Sequence, residues 1–435
     1  MVRSCIWLIT LFTAVTLCTE RADAKRANEG DADAMHVDTV KADIRGVDVI
    51  GEDARVASTT SPDTLETDNK AYTVMSAEDY VSTREKENRN FWQRVYHYFA
   101  DANKKSDKKF DVSVIGGPHY SSNTKLGIGV VAAGVYSTNR GDSLTPLSNV
   151  SLYGDVTTTG YYIIGIKGNN IFTKDRWRID YSTYFNSYPS NFWGLGYTDA
   201  NNDDNKSDYL RREVSVSGTL LYQVAPRFFM GPSVGFEYVM GSRFSNIDLI
   251  KDGGRIHRAF TYGATATYDT RDNITAAYNG IYAKVSQRIF NYPNCRPFFK
   301  TEVQFNYYKK VWKGCILATD LYSIFGYGSV PWTSMALLGG TNRMRGYYEG
   351  RYRDNNMITV QAELRQHIYN RHGVVVWVGA GNVWGNANSF RWSRTLPNCG
   401  LGYRWEFKKR MNVRLDYGFG KSGQSAFMFA INEAF

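Results

Sequence analysis

The chain has 435 residues, a formal net charge of +10, 43% hydrophobic and 15% aromatic residues, and 31 tyrosines. That composition excludes a disordered chain, and no apolar run of about 18 residues follows the N-terminus to make a spanning helix. Lys and Arg are scattered singly, with no basic helix or nucleic-acid motif, so the basic charge does not point to nucleic acid as a partner.

Residues 1–24 read as an export signal. Arg3 supplies the positive start, 6–17 the apolar core, and Ala22-Asp23-Ala24 a small-x-small cleavage site. Cys18 would suit a lipoprotein signal, but the large Leu17 precedes it, so cleavage is expected after Ala24. Residues 25–75 are polar and predict a disordered acidic periplasmic linker. Between residues 25 and 80, 13 acidic residues stand against 6 basic ones, so the positive surplus belongs to the C-terminal part. Residues 76–109 predict a short amphipathic helix. Ser76 and Asp79 resemble a helix-start box, and Phe91, Val95, Tyr98 and Phe99 share a face. Such a helix lies on the membrane, rests against the barrel's periplasmic end, or is a plain spacer.

From 110 to 435 the pattern is segments of about ten residues with period-two alternation, the mark of a membrane barrel. Met411, Val413, Leu415, Tyr417 and Phe419 alternate with Asn412, Arg414, Asp416 and Gly418. Thr301, Val303, Phe305 and Tyr307 alternate with Lys300, Glu302, Gln304 and Asn306. A soluble β-sandwich is the competing fold. Charges at mid-strand on the polar face fit a wet lumen better, and aromatics crowd the strand ends as an interfacial girdle. The predicted fold is all-β, a 16-stranded antiparallel transmembrane β-barrel. Its spans are 110–117, 126–137, 148–158, 161–172, 176–186, 211–223, 228–239, 259–269, 280–290, 298–310, 314–327, 358–368, 373–384, 398–407, 411–420 and 425–435. An even count puts both ends of the barrel on the periplasmic side. Short turns fall there (173–175, 224–227, 311–313, 369–372, 408–410), with 138–147 as a long exception. The long loops 187–210, 240–258 and 328–357 face outward.

The connection 328–357 contains Leu338-Gly339-Gly340-Thr341-Asn342-Arg343-Met344-Arg345-Gly346-Tyr347. This resembles the Gly-Gly…Arg-Gly-(Phe/Tyr) loop of the BamA/TamA outer-membrane assembly family, the bacterial surface antigens, in which it follows strand eleven and folds into the lumen. Tyr268-Asp269-Thr270-Arg271-Asp272-Asn273 with Asn279-Gly280 resembles that family's Asp-x-Arg-Asp…Gly turn after strand eight. The last segment ends in the aromatic Phe435, as many outer-membrane proteins do. The likeness covers about 110–435. It implies that Arg345 is received by an inward acid, and Glu363 is inward by alternation with Val360, Ala362 and Leu364. Gly340, Arg345, Gly346, Tyr347 and Glu363 are thus the expected latch. The family's second acid, in the next strand, stands here as Gly379. Members usually carry periplasmic POTRA modules, whose pattern residues 25–109 lack.

The six histidines show no metal-ligand spacing, and no nucleophile elbow or phosphate loop occurs. Inward carboxylates such as Glu302 and Asp416 are read as lumen lining, so neither an enzyme, a metal nor a cofactor is expected. Cys295 and Cys399 both fall near the outer mouth and are candidates for a disulfide; Cys315 lies a strand length away, beyond disulfide reach. Labelling of both thiols in unreduced protein would sink that pairing. The resemblance implies an outer-membrane location, lipid contact, and partners among assembly proteins or client barrels. Three functions stay open: an accessory in outer-membrane protein or lipid insertion, a pore for small solutes, or a surface antigen whose loops bind a partner.

Overall fold

The computed structural model describes residues 110–121, 125–138, 147–250, 254–293 and 296–435. The expected signal, linker and helix, most of the 138–147 turn, and Cys295 lie outside the described residues. One antiparallel sheet of sixteen strands runs in chain order. Its first half is β1 (Phe110–Ser121), β2 (Lys125–Tyr136), β3 (Ser148–Thr157), β4 (Tyr162–Ile171), β5 (Trp177–Phe192), β6 (Ser207–Ala225), β7 (Phe228–Ser242) and β8 (Ile256–Asp269). The second half opens with β9 (Gly280–Asn291), β10 (Phe298–Trp312) and β11 (Cys315–Tyr327). A separate two-stranded ribbon, β12 (Ala336–Leu338) with β13 (Tyr352–Asp354), interrupts the connection after β11. The sheet then resumes with β14 (Asn356–Tyr369), β15 (His372–Trp384), β16 (Leu396–Lys408), β17 (Met411–Phe419) and β18 (Ser425–Ile431).

Alternation decides the two faces. Val234, Phe260 and Leu401 are 62%, 65% and 60% exposed on the outer face, while Ser233, Glu363 and Arg404 are buried on the inner one. An apolar outer face seats a sheet in lipid only if its backbone groups are paired. The sheet accordingly returns on itself, with β18 beside β1. Among the described residues no ladder joins those two strands, however. The β5–β6 ladder runs from Trp177↔Tyr222 to Phe192↔Ser207; the β17–β18 ladder next to the seam runs only from Val413↔Ile431 to Phe419↔Ser425.

At one end, here called the turn end, four hairpins are minimal. The connections 226–227, 313–314, 370–371 and 409–410 each follow a register shift in the preceding strand. Each has one left-handed residue, Arg227, Gly314, Asn370 or Arg410, as bulged hairpin turns require. The loop end carries 193–206, 243–255, 328–355 and 385–395. Strands five and six also outrun their expected limits of 186 and 211. Ser187 and Ser190, which read as loop residues, stay in the ladder and are buried. Beyond them Phe192 and Tyr209 turn onto Trp332 of the long connection. Among the described residues no helix is long and apolar enough to cross a membrane.

Candidate functional site

The connection 328–355 fills the loop end. Trp332 packs edge-on against Phe192, Tyr209 and Phe244, and its Nε1 donates to Gly254 O at 2.8 Å. Leu338, Met344 and Tyr347 are buried against Val383 and Leu396 of the wall. A one-turn helix, α1 (Gly196–Ala200), covers the ribbon, and Arg351 ties the two together by donating to Ala200 O (3.0 Å) and Asp203 Oδ1 (2.7 Å).

The tip then runs along β17. Gly346 has φ +112°, and a Cβ there would stand 2.8 Å from the Gly418 carbonyl carbon. A Cβ on Gly418 would stand 2.5 Å from Arg345 O. Glycine at both places therefore lets two backbones touch where any side chain would hold them apart. Gly339 and Gly340 also have positive φ, and Asn398 Nδ2 donates to Arg345 O at 3.2 Å.

Arg345 and Glu363 are both fully buried and form an ion pair through Nη2 and Oε1. The second carboxylate on Arg345 is Asp416, whose Oδ2 lies 2.7 Å from Nη1. The acid that the family resemblance places in β15 is thus supplied by β17. At Gly379 a Cβ would meet Asn398 Oδ1 at 2.5 Å and Gln361 Cβ at 2.9 Å, so that position holds no carboxylate. The guanidinium also lies over the Trp377 ring, 3.7 Å from its centroid, a favourable placement for a desolvated cation.

Around this pair five guanidinium groups meet four carboxylates. Arg404 bridges Asp416 Oδ1 (2.5 Å) and Glu433 Oε2 (2.9 Å). Arg365 Nε reaches Glu363 Oε2 at 2.9 Å and Glu433 Oε2 at 3.6 Å. Arg414 reaches Asp416 Oδ2 at 3.1 Å and donates to Asn342 Oδ1 at 2.6 Å. Arg343 forks onto Asp320 at 2.8 and 3.0 Å. Glu433, beyond β18, is pushed up by burial, but Arg404 and Arg365 outweigh this and hold its carboxyl down to about 2. Glu302 pairs instead with Lys284 and Arg288. Among the described residues no three His, Cys, Asp or Glu are grouped as metal ligands.

The turn motif lies at the other end. Arg271 forks onto Asp269 at 3.0 and 2.8 Å. Gly280 takes φ +118°, and a Cβ there would stand 2.4 Å from Thr270 O. Asp272 Oδ1 accepts from the backbone N–H of Tyr278 (2.8 Å) and Asn279 (3.2 Å). Its Oδ2 pairs at 3.0 Å with Arg410, in the turn between β16 and β17. Arg410 also donates to Ala276 O at 2.7 Å and sits 3.2 Å from the Tyr278 ring centroid. The 270–279 turn is thereby clasped across the turn end. Burial raises the Asp272 carboxyl, but the two N–H groups and Arg410 prevail and hold it below the usual range. A folded-state value below the unfolded one means that the clasp contributes fully above about pH 4 and is lost as pH falls through the folded value. Protease cleavage within 270–279 is therefore expected to accelerate in acid, and Arg410→Ala is expected to give the acid rate at neutral pH. Phe435 packs beside Ala277, Tyr308 and Ala318, and its O accepts from Arg365 Nη2 at 3.1 Å. Cys399 is in β16 and Cys315 at the opposite end of β11; the pairing of Cys399 with Cys295 falls outside the described residues.

The family description "Omp85 superfamily domain" matches residues 168–435, well over half of the chain. The chain belongs to the Omp85 superfamily. Two solved Omp85-type barrels have the same fold. BamA from Haemophilus ducreyi, in a crystal structure lacking POTRA domains 1–3, is 13% identical with a TM-score of 0.51, over 75% of this chain and 71% of that one. CdiB from Acinetobacter baumannii is 12% identical with a TM-score of 0.51, over 76% and 60%. No curated protein matches the sequence.

In this Omp85 barrel, alternation alone had placed Arg414 and Asp416 inward, yet their part in receiving Arg345 was not foreseen. The available signal was that Arg404, Arg414 and Asp416 share the face of Glu363. Tyr347 closes the seat: its hydroxyl donates to Pro397 O (2.6 Å) and accepts from Lys421 N–H (2.7 Å). Tyr347→Phe leaves both backbone groups unpaired, and is expected to cost about 1–3 kcal/mol, read as a lower unfolding midpoint in detergent.

Proposed function

We propose that this Omp85 barrel resides in the bacterial outer membrane and assists the insertion of other outer-membrane proteins, or of lipid, through the seam between β1 and β18. The observation that carries this reading is that, among the described residues, neighbouring strands are joined by ladders from β1 round to β18 but β18 and β1 are not. A strand edge without a ladder is a template for an incoming strand, and the ladder behind this one, β17–β18, is short. The likeness to BamA supports the same reading.

Depletion of the protein in its own cells, followed by quantification of the other outer-membrane barrels, tests it. Several barrels are expected to fall together while their precursors accumulate. Steady levels of all of them would overturn the assembly role. A second reading, a gated pore for small anions, rests on the surplus of guanidinium groups in the lumen and on a connection that stops the loop end.

A further inference from the structure

A cavity of about 450 Å³ opens at the turn end, between the clasped 270–279 turn and the ends of β10, β11, β14, β15 and β16. Such a volume suits a small ligand. Its inner wall carries Arg365 and Arg404, 6% and 4% exposed. Both point at one Glu433 oxygen, at 3.6 and 2.9 Å, so the two guanidinium groups are neighbours. Each keeps one buried nitrogen, Arg365 Nη1 and Arg404 Nη2, with no hydrogen-bond partner among the described residues. Buried donors are rarely left so. Nor is the lining short only of hydrogen bonds. Lys310, Lys313 and Arg410 add positive charge, while the carboxylates Glu406 and Glu433 are already engaged, by Arg410 N–H and by Arg404.

Ile316, Val374 and Val375 add an apolar part to the wall, on both faces of the sheet. Val375 is buried on the lumen side; Val374, 43% exposed, belongs to the outer face, and Trp312 at the rim is 42% exposed. An aromatic at a strand end marks the membrane surface. The cavity therefore joins a buried cationic pocket to the level where lipid headgroups lie. Two guanidinium groups from different strands suit a tetrahedral anion, whose oxygens point in several directions, better than one planar carboxylate.

We propose that this cavity binds the phosphate headgroup of an anionic membrane lipid, with the guanidinium groups of Arg365 and Arg404 on the phosphate oxygens and Val374 and Ile316 along the first part of an acyl chain. The site does not depend on the assembly role, and its readout is binding alone. The test is calorimetric titration of the full chain in neutral detergent with dihexanoyl phosphatidylglycerol, dihexanoyl phosphatidylcholine and inorganic phosphate. Phosphatidylglycerol is expected to bind once per barrel, about tenfold more tightly than phosphatidylcholine, with affinity falling as salt rises. Arg404→Gln is expected to abolish the preference. Because Arg404 also serves the buried ion network, the double variant Lys310→Gln/Lys313→Gln provides a second test, with a severalfold loss expected. Heat-shifted electrophoretic mobility reports that each variant is folded. If inorganic phosphate binds as tightly as the lipid, the phosphate site stands and its source is free phosphate. Equal binding of the two lipids, no binding of either phosphatidylglycerol or phosphate, or undiminished preference in both folded variants would overturn the proposal.

Discussion

Arg345→Ala is expected to destabilise the barrel by about 3–5 kcal/mol, the usual cost of stranding a buried charge. Two carboxylates, Glu363 and Asp416, each give an oxygen to this guanidinium, and both are essentially unexposed. Arg365, Arg404 and Arg414 remain nearby and soften the loss of charge balance. None of them is on the loop, so the tip loses this anchor and keeps the weaker hold of Arg343 on Asp320. Arg345→Lys is expected to fall between wild type and Ala, because an ammonium is a point donor and cannot fork to acids on two strands. Unfolding in detergent gives the stability, and protease cleavage within 340–350 gives the loop. An unchanged midpoint with an uncut loop would show that Arg345 fastens nothing.

Gly346→Ala attacks the same seat by shape alone. The new Cβ would stand 2.8 Å from both the Gly418 carbonyl carbon and the Phe419 nitrogen, at φ +112°. Backbone strain of about 1–3 kcal/mol adds to overpacking of about 1–3 kcal/mol. Lifting the tip off β17 relieves both. Faster cleavage of the loop and a larger single-channel conductance in planar bilayers are the expected results. Gly418→Ala should act in the same direction from the wall side. The pair should be less than additive, since both methyl groups contest one gap. Wild-type conductance in a Gly346→Ala barrel with a cleavable loop would mean that the tip does not obstruct the lumen.

The strands were legible because a membrane barrel writes its fold in a local rule. Val234, Phe260 and Leu401 had to face lipid, and their neighbours the lumen, so each span could be read from about ten residues. The limits of β5 and β6 were not legible, because Ser187 and Ser190 look like loop unless Trp332 is known to pack on Phe192 and Tyr209 beyond them. The β12–β13 ribbon was missed for a similar reason, since three residues paired within a long connection leave no periodic trace. Of the site, Glu363 was visible as an inward acid, while the inward place of Arg345 and its pairing came from a family resemblance. Asp416 and Glu433 required three-dimensional proximity across strands distant in sequence. Likewise the grasp of Arg410 on Asp272 joins turns 138 residues apart, beyond the reach of any local pattern.

Arg404 holds Asp416, which holds the loop, and also Glu433, which follows the last strand. Seating of the loop and seating of β18 are consequently not separate equilibria. Whatever prises the last strand loose weakens the acid that Arg345 grips, and thermodynamic reciprocity then fixes the converse: a loop already lifted lowers the work of prising by the same factor. One arginine thus links the loop end of the barrel to its lateral edge.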